Sequence, residues 1–285
     1  MFINKIGESS YCMEKYQEVE RSLITKYRRD IWRPFVTAVV QYQLIDEGDA
    51  VAVCISGGKD SMIMAKCMQE LERHGPRRFR AEYVVMDPGY NPENRQLILD
   101  NAKLLNIPVK LFETPIFGIV DSVDGNPCYL CARMRRGYLY KYAQSLGCNK
   151  IALGHHFDDA IETTLLSMMY AGEIRAMMPK LRSTSHPGME LIRPMYHVRE
   201  HNIVRFAQRH SLRFLQCACR FTENIAKGDQ PGRSKRQEVK LLLARLREQD
   251  PLIDRNIFHS MQNVNLEKVI AWRDKSGIHH FLDDY

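Results

Sequence analysis

The sequence contains no long hydrophobic run. No apolar stretch approaches the ~18 residues that a membrane-spanning helix needs, so an integral membrane protein is not expected. Residues 1–20 carry acidic side chains and lack the long apolar segment of a signal peptide, so we expect a cytoplasmic protein. Internal repeats and low-complexity tracts are also missing, which argues against a repeat architecture.

The composition is that of an ordinary globular protein with a mild excess of basic charge. The 285 residues are 45% hydrophobic, enough to build one large domain or two modest ones. Lysine and arginine number 41 against 34 acidic residues, which gives a net charge of +7. The basic residues are concentrated at 26–33 (KYRRDIWR), 133–136 (RMRR) and 233–240 (RSKRQEVK). Such clusters favour a polyanionic partner.

Strand and helix signals alternate from residue 50 onwards. Predicted strands are 50–55, 80–86, 108–112, 149–153 and 191–194, with helices at 60–74, 92–105, 129–146, 158–170 and 198–210. This alternation predicts an α/β fold with a doubly wound parallel sheet. Residues 172–188 are predicted to be a loop, and helices at 232–248 and 252–274 to close the chain.

Helical segments flank this predicted domain on both sides. Residues 14–45 have a helical pattern that is broken or kinked at Pro34. We therefore predict an N-terminal helical arm (1–47), an α/β domain (48–225) and a C-terminal helical extension (226–285).

The first strand runs directly into the hexapeptide SGGKDS. Two glycines permit a tight turn, and a helix N-terminus presents backbone N–H groups to an anion. The six residues are Ser56, Gly57, Gly58, Lys59, Asp60 and Ser61. Lysine adds a point charge, the serines add hydroxyls, and the aspartate can hold a magnesium ion. The spacing differs from both G-x-x-x-x-G-K-S/T and G-x-G-x-x-G, so neither classical nucleotide motif is present.

This hexapeptide after a short apolar strand resembles the pyrophosphate loop (PP-loop) of the N-type ATP pyrophosphatases. The resemblance implies the adenine nucleotide alpha hydrolase-like fold. It also implies that ATP is cleaved between its α- and β-phosphates while a carbonyl oxygen is activated as its adenylate. Lys59 and Asp60 are then predicted catalytic residues, and ATP with Mg²⁺ the predicted ligands.

A second polar cluster follows the strand at 149–153. Gly154, His155, Asp158 and Asp159 belong to the stretch GHHFDD. The carboxyl ends of neighbouring parallel strands share one crevice. Gly154 is therefore predicted to allow close approach of the nucleotide, and His155, Asp158 and Asp159 to bind phosphate or magnesium, with Asp159 among the catalytic residues. A buried histidine or a helix-capping aspartate is the alternative. Asp87, after the strand YVVM, is predicted to contact ribose or adenine, or alternatively to serve as a turn aspartate.

Three longer stretches narrow the resemblance to one family. They are PCYLCARMRRGYLYKYAQSLG (127–147), KIALGHHFDDAIETTLLSMMYAG (150–172) and IRPMYHVREHNIVRFAQ (192–208), followed by SMQNV (260–264). Their order resembles the tRNA 2-thiocytidine synthetases over about residues 36–265. That family thiolates cytidine 32 of the anticodon loop. Two alternatives stay open: a PP-loop enzyme for another tRNA position or a small-molecule carbonyl, and a non-catalytic nucleotide- or tRNA-binding protein.

The eight cysteines do not suggest disulfides in a cytosolic chain. Cys54 and Cys67 lie in a predicted strand and a predicted helix, so we expect inert core thiols. Cys128 and Cys131 open a basic helix, and a second close pair, Cys217 and Cys219, lies downstream. Such pairs can bind one metal centre.

Two metal centres fit these four cysteines. The first is a closed structural zinc site, and the second is a [4Fe-4S] cluster with three cysteine ligands and one open iron. The family implies the cluster, held by Cys128, Cys131 and one downstream cysteine. The downstream pair is C-x-C where the family usually has C-x-x-C, so the third ligand is Cys219 or, alternatively, Cys217. The resemblance further implies tRNA and a sulfur donor such as a cysteine desulfurase as partners; a homodimer is left open.

Overall fold

A computed structural model of the chain describes residues 13–120, 127–215 and 234–285, apart from the side chains of residues 120, 127–129 and 284. The residues form two compact units. Unit 1 comprises Met1–Phe157 and Met178–Pro231, and unit 2 comprises Asp158–Met177 and Gly232–Tyr285. The domain boundaries predicted at residues 47 and 225 stay predictions.

Unit 1 is built on a six-stranded sheet with the order β3-β2-β1-β4-β6-β5. The strands are β1 (Ala50–Ile55), β2 (Arg80–Asp87), β3 (Val109–Glu113), β4 (Lys150–Ala152), β5 (Lys180–Arg182) and β6 (Glu190–Ile192). All neighbouring strands are parallel except β5, which runs antiparallel to β6. The predicted doubly wound α/β fold is therefore confirmed. The loop predicted at 172–188 is wrong at residues 180–182, which form β5. A strand of three residues is defined by its pairing with β6 and leaves no recognisable pattern in the sequence.

Both faces of β1 are buried, which explains its continuous apolar sequence. Val51, Val53 and Ile55 pack into one core cluster, and Ala52 and Cys54 pack into another on the opposite face. Since side chains alternate along a strand, the two faces take alternate residues.

The prediction of inert core thiols is confirmed for Cys54 and Cys67. Both side chains are buried, and burial raises the pKa of each thiol far above its usual range. Thiolate chemistry at these two positions is therefore suppressed.

Helices cover the sheet of unit 1. They are α1 (Lys15–Ile24), α2 (Arg33–Gln41), α3 (Lys59–His74), α4 (Pro92–Leu104), α5 (Ile116–Val120), α6 (Pro127–Ser145) and α8 (Glu200–Arg209). Helix α7 (Phe157–Tyr170) has its first residue in unit 1 and the others in unit 2. Within the described ranges, no helix is both long enough and apolar enough to cross a membrane.

The helical arm is interrupted where Pro34 approaches. Proline lacks an N–H group, and its ring clashes with the carbonyl four residues earlier, here that of Asp30. The chain widens into a π-helical turn at Arg28–Trp32, in which the N–H of Trp32 bonds to the carbonyl of Tyr27. The Asp30 carbonyl accepts a hydrogen bond from Asn202 Nδ2 of α8 instead (3.2 Å). The predicted break is therefore a change of helix type that ties the arm to α8.

Unit 2 contains the rest of α7, α9 (Lys235–Gln249), α10 (Ile253–Ser260) and a hairpin of β7 (Ala271–Arg273) and β8 (Ile278–His280). The helix predicted at 252–274 is wrong after Ser260. Asn265 and Asp274 explain the difference, because their side chains accept hydrogen bonds from the backbone N–H groups of Glu267 and Gly277. Such local bonds favour turns over a continuous helix.

Candidate active site

The strand order reverses between β1 and β4, which are neighbours in the sheet. In doubly wound sheets ligands bind beside the carboxyl ends of the strands at this point. The hexapeptide SGGKDS follows β1, and Gly154 with its neighbouring histidines follows β4. A Cβ atom on Gly154 would lie 3.0 Å from the backbone nitrogen of Ser61. The structure thus brings the two predicted motifs together at this crevice.

Backbone conformation and close contacts explain why glycines occupy these positions of the hexapeptide. Gly57 has a φ of +84°, in the left-handed region that glycine adopts without strain. A Cβ atom there would approach Ile98 Cγ1 to 2.6 Å, and the carbonyl of Gly57 accepts from the N–H of Leu215. Gly58 is the N-cap of α3, so the first N–H groups of α3 point into the crevice.

The two serine hydroxyls hold the shape of this loop. Ser61 Oγ accepts from the N–H of Ser56 (3.1 Å) and donates to the carbonyl of Gly58 (2.9 Å). The two Oγ atoms lie 3.2 Å apart. Ser61 is buried, whereas Ser56 is exposed. Ser61 therefore positions the loop, and its predicted contact with phosphate stays a prediction.

Lys59 lies between two carboxylates. Its Nζ is 3.1 Å from Asp60 Oδ2 and 2.9 Å from Glu200 Oε1 on α8. Burial opposes the charge, but the attraction of Asp60 and Glu200 outweighs it and raises the pKa of Lys59. About a quarter of the lysine side chain, 27%, is exposed. The geometry therefore presents a protonated ammonium group that an anionic ligand can reach.

Sequence reasoning missed two neighbours of the hexapeptide. Glu200 is 141 positions from Lys59, and its place in the first turn of α8 is also common for an acid that only balances the helix dipole. His156 is buried, with Nε2 3.8 Å from Asp60 Oδ1. Its neighbour His155, which the sequence predicts to bind phosphate or magnesium, is half-buried. The motif GHHFDD therefore points to this position but does not distinguish the two histidines.

A cavity of about 410 Å³ opens beside the first turn of α3. Its lining residues are polar at one end and mostly apolar elsewhere: Gly58, Lys59, Asp60, Val204, Ala207, Gln208, Leu212, Phe214 and Leu215. Small-molecule sites commonly combine this size with a few convergent polar groups. The arrangement can bind an anion at Lys59 and an apolar group next to it.

Asp87 ends β2 and is buried. Its Oδ1 accepts from the N–H groups of Gly89 (2.9 Å) and Tyr90 (2.7 Å), and its Oδ2 lies 3.5 Å from Arg95 Nη1. This is the geometry of the turn aspartate that the sequence left open. A nucleotide contact from the same carboxylate stays a prediction.

Asp158 and Asp159 belong to unit 2, where both pair with arginines of α9. Arg247 Nη2 lies 2.7 Å from Asp158 Oδ1, and Arg236 forms an ion pair with Asp159. Arg247 also binds Asp254 of α10. These carboxylates carry cationic partners within their own unit, and their predicted role toward phosphate or magnesium stays a prediction.

Of the four cysteines predicted to bind metal, only Cys131 has a described side chain. It lies one turn into α6, is half-buried, and packs against the apolar cluster of Met86, Ile116 and Phe117. Cys128 lies on the first turn of the same helix, and Cys217 and Cys219 fall outside the described residues. A thiol at a helix N-terminus next to a water-poor apolar cluster fits a soft metal centre. Among the residues with described side chains, no three His, Cys, Asp or Glu side chains come together to hold a metal ion.

Gly154→Ala should lower the thermal midpoint of unfolding. The added Cβ would lie 3.0 Å from Ser61 N and 3.1 Å from Ser61 Cα, so backbone must move at a cost of about 1–3 kcal/mol. Gly137→Ala is the matched control, because its Cβ would meet open space and alanine favours helix by about 1 kcal/mol. Equal midpoints for the two variants in thermal unfolding would refute the close approach.

Glu200→Gln should strengthen ATP binding. If Lys59 binds the phosphates of ATP, as the sequence predicts, ATP must displace Glu200 from it. A partly exposed ion pair contributes about 0.7 kcal/mol, which corresponds to roughly threefold in affinity. Isothermal titration with ATP measures the change. Weaker binding in this variant would mean that Glu200 instead holds Lys59 in its productive position.

Comparison with known proteins matches residues 33–219 to the PP-loop domain family. The tRNA-cytidine(32) 2-sulfurtransferase of Alkalilimnicola ehrlichii is 38% identical over 80% of this chain and 70% of its own. The enzyme of the same name from Shewanella sediminis is 36% identical over 88% of this chain and 78% of its own. Among solved structures, the U34-tRNA thiolase of Methanococcus maripaludis, with its [4Fe-4S] cluster, superposes with a TM-score of 0.61 at 19% identity. That superposition covers 90% of this chain and 80% of the thiolase, and it shows a shared fold.

Proposed function

We propose that this chain thiolates tRNA at the expense of ATP, because it belongs to the PP-loop family and, within it, to the tRNA-cytidine(32) 2-sulfurtransferases. The observation that carries the proposal is the position of Lys59. It lies at the N-terminus of α3, beside the point where the strand order reverses. The substrate nucleoside that we propose is cytidine 32 of the anticodon loop.

The first half of the reaction activates the base. The C2 carbonyl oxygen of the cytidine attacks the α-phosphorus of ATP, and pyrophosphate leaves. Lys59 and the N–H groups at the start of α3 face the developing phosphate charge, and Ser61 keeps the loop in shape. Asp60 supplies carboxylate oxygens of the kind that Mg²⁺ prefers, and a bound Mg²⁺ would neutralise phosphate charge.

The second half replaces oxygen by sulfur. Sulfide attacks C2 of the adenylated base, and AMP leaves with the former carbonyl oxygen. Cys128, Cys131 and Cys219, with Cys217 as the alternative third ligand, are the residues that would hold a [4Fe-4S] cluster. A bound cluster would supply one iron, left open by the protein thiolates, to carry sulfide.

The partners follow from this chemistry. tRNA is the macromolecular substrate, and an anticodon-loop base is already exposed, so presenting it to the site costs little. We propose a cysteine desulfurase as the sulfur donor and the cytoplasm as the place of reaction. A homodimer stays open.

Product analysis tests the proposed function. Purified protein incubated with ATP, sulfide and tRNA should release AMP and pyrophosphate in equal amounts, and release should depend on tRNA. Turnover that is unchanged without tRNA, or that requires a small carbonyl compound instead, would contradict it and favour another PP-loop substrate.

Binding of tRNA should fall steeply with salt. The basic clusters at 26–33, 133–136 and 233–240 would neutralise backbone phosphates, and each neutralised phosphate releases counterions. If about six phosphates are contacted, affinity should drop by roughly 10³ between 50 and 200 mM salt. Fluorescence anisotropy at four salt concentrations measures the slope. A flat slope would exclude an electrostatic tRNA interface.

A further inference from the structure

The π-helical turn carries exposed cations. Lys26, Arg28, Arg29 and Arg33 are exposed, whereas Tyr27 and Ile31 face the core. None of the four cations forms an ion pair within the part of the chain that the structure describes. The segment 26–33 contains a single acid, Asp30, so most of its positive charge is uncompensated.

Helix α8 packs against this turn and adds more cations. Tyr27 donates from its hydroxyl to the carbonyl of Arg205 (3.2 Å), and its ring meets that of Phe206 edge-on at 5.0 Å. Arg205 and Arg209 are exposed and four residues apart, so they share the outward face of α8. Arg213, just after the helix, is also exposed. None of these three arginines has an ion-pair partner among the described residues.

Several exposed cations elsewhere in unit 1 have acidic partners. Arg73 pairs with Glu20, Arg77 with Asp46, and Lys110 with Glu82. The turn and α8 therefore form a basic face in which like charges lie near one another without acids to offset them. A polyanion removes this repulsion and gains from counterion release.

The chemistry of this basic face favours a nucleic-acid backbone over a lipid surface. Within the described chain, neither 26–33 nor 200–213 contains an exposed large hydrophobic side chain. Interfacial membrane binding needs apolar side chains to enter the bilayer, which these segments do not offer. The two elements are also joined by the hydrogen bond from the Tyr27 hydroxyl to the Arg205 carbonyl and by that from Asn202 to the Asp30 carbonyl.

Helix α8 connects the basic face to the candidate active site. Its first residue, Glu200, contacts Lys59, and its last residue is Arg209. Ten helical residues span about 15 Å, so the basic face begins within roughly one helix length of Lys59. An RNA strand bound on this face can therefore reach the site with a nearby nucleotide.

We propose that the basic face, made of Lys26, Arg28, Arg29, Arg33, Arg205, Arg209 and Arg213, binds the phosphate backbone of the tRNA substrate. The proposal rests on the proposed function and adds the surface on which the substrate is held. Because phosphate contacts carry no sequence information, this face positions the tRNA, and recognition of the base belongs to the active site.

Paired charge reversals test the proposal. Arg28→Glu/Arg29→Glu and Arg205→Glu/Arg209→Glu should each weaken tRNA binding at least tenfold at 100 mM salt and reduce the salt slope by about two. Arg28→Gln/Arg29→Gln should show a smaller loss in the same direction. Lys103→Glu/Arg255→Glu changes the net charge equally at exposed positions elsewhere and should stay within about twofold of the wild type. ATP affinity and circular dichroism should be unchanged in all variants.

The outcomes separate this proposal from the proposed function. Equal losses in the test and control pairs, or wild-type tRNA affinity in both test pairs, would overturn the basic face while thiolation by the wild type stands. Wild-type protein that binds no tRNA would overturn both. Loss of binding to anionic phosphatidylserine vesicles with tRNA affinity retained would assign the face to membranes and overturn it as an RNA surface.

Discussion

Lys59→Ala should abolish ATP-dependent turnover and leave the fold intact. Removing one group that stabilises developing charge typically costs at least about 100-fold in rate, and Lys59 is itself the first residue of α3. The side chains of Lys59, Asp60 and Glu200 are 27%, 27% and 30% exposed, so water can solvate the two carboxylates after the lysine is removed. Pyrophosphate release and thermal unfolding measure the two effects.

The matched control for this variant is Lys103→Ala. Lys103 is an exposed lysine on the last turn of α4, and its loss should leave pyrophosphate release unchanged. Iron content should be the same in both variants, because the predicted ligands of the cluster are cysteines and neither substitution changes one. Release of pyrophosphate by Lys59→Ala at the wild-type rate would show that the assignment of SGGKDS to ATP cleavage is wrong.

Serine variants of the cysteines should divide into two classes. Cys128→Ser, Cys131→Ser and Cys219→Ser should each lose iron and tRNA thiolation, because serine is a poor ligand for a soft iron–sulfur centre. Cys217→Ser should keep most of its iron, since three protein ligands leave one iron open for sulfur. Iron and labile sulfide are measured on protein purified without oxygen.

Measuring tRNA thiolation by the Cys217→Ser variant distinguishes two roles for this thiol. If Cys217→Ser keeps its iron but loses thiolation, this thiol relays sulfur and does not bind metal. Cys54→Ser and Cys67→Ser change buried thiols that are not predicted ligands, so they report any loss of iron that comes from instability alone. Equal loss of metal from all four predicted ligands, with zinc in the wild type, would show a closed four-cysteine site and remove the sulfur carrier.

The sheet could be predicted because its longer strands have recognisable local sequence patterns. AVAVCI is apolar at every position since both faces of β1 are covered, and glycines mark its end. The predicted strand at 50–55 matches β1, and the helix predicted at 60–74 differs from α3 by one residue. Elements of three residues, such as β5, and turns set by Asn265 or Asp274 depend on pairing and capping that no periodic pattern encodes.

The candidate site divides in the same way. The hexapeptide and Gly154 could be predicted, because glycine, lysine and aspartate at a strand end have few other uses. The contact of Glu200 with Lys59 could not, since it joins residues 141 positions apart through the packing of α8. Nor does the sequence reveal that Asp158 meets Arg247, because that pair depends on how α9 packs within unit 2.

Nucleoside analysis of tRNA after reaction is the decisive measurement for ATP-dependent thiolation of cytidine 32. Purified protein is incubated with unmodified tRNA, sulfide and either ATP or its α,β-methylene analogue, which cannot be cleaved between the α- and β-phosphates. We expect 2-thiocytidine at position 32 with ATP and none with the analogue. Thiolation that proceeds equally with the analogue, or that appears only at another nucleoside, would contradict it.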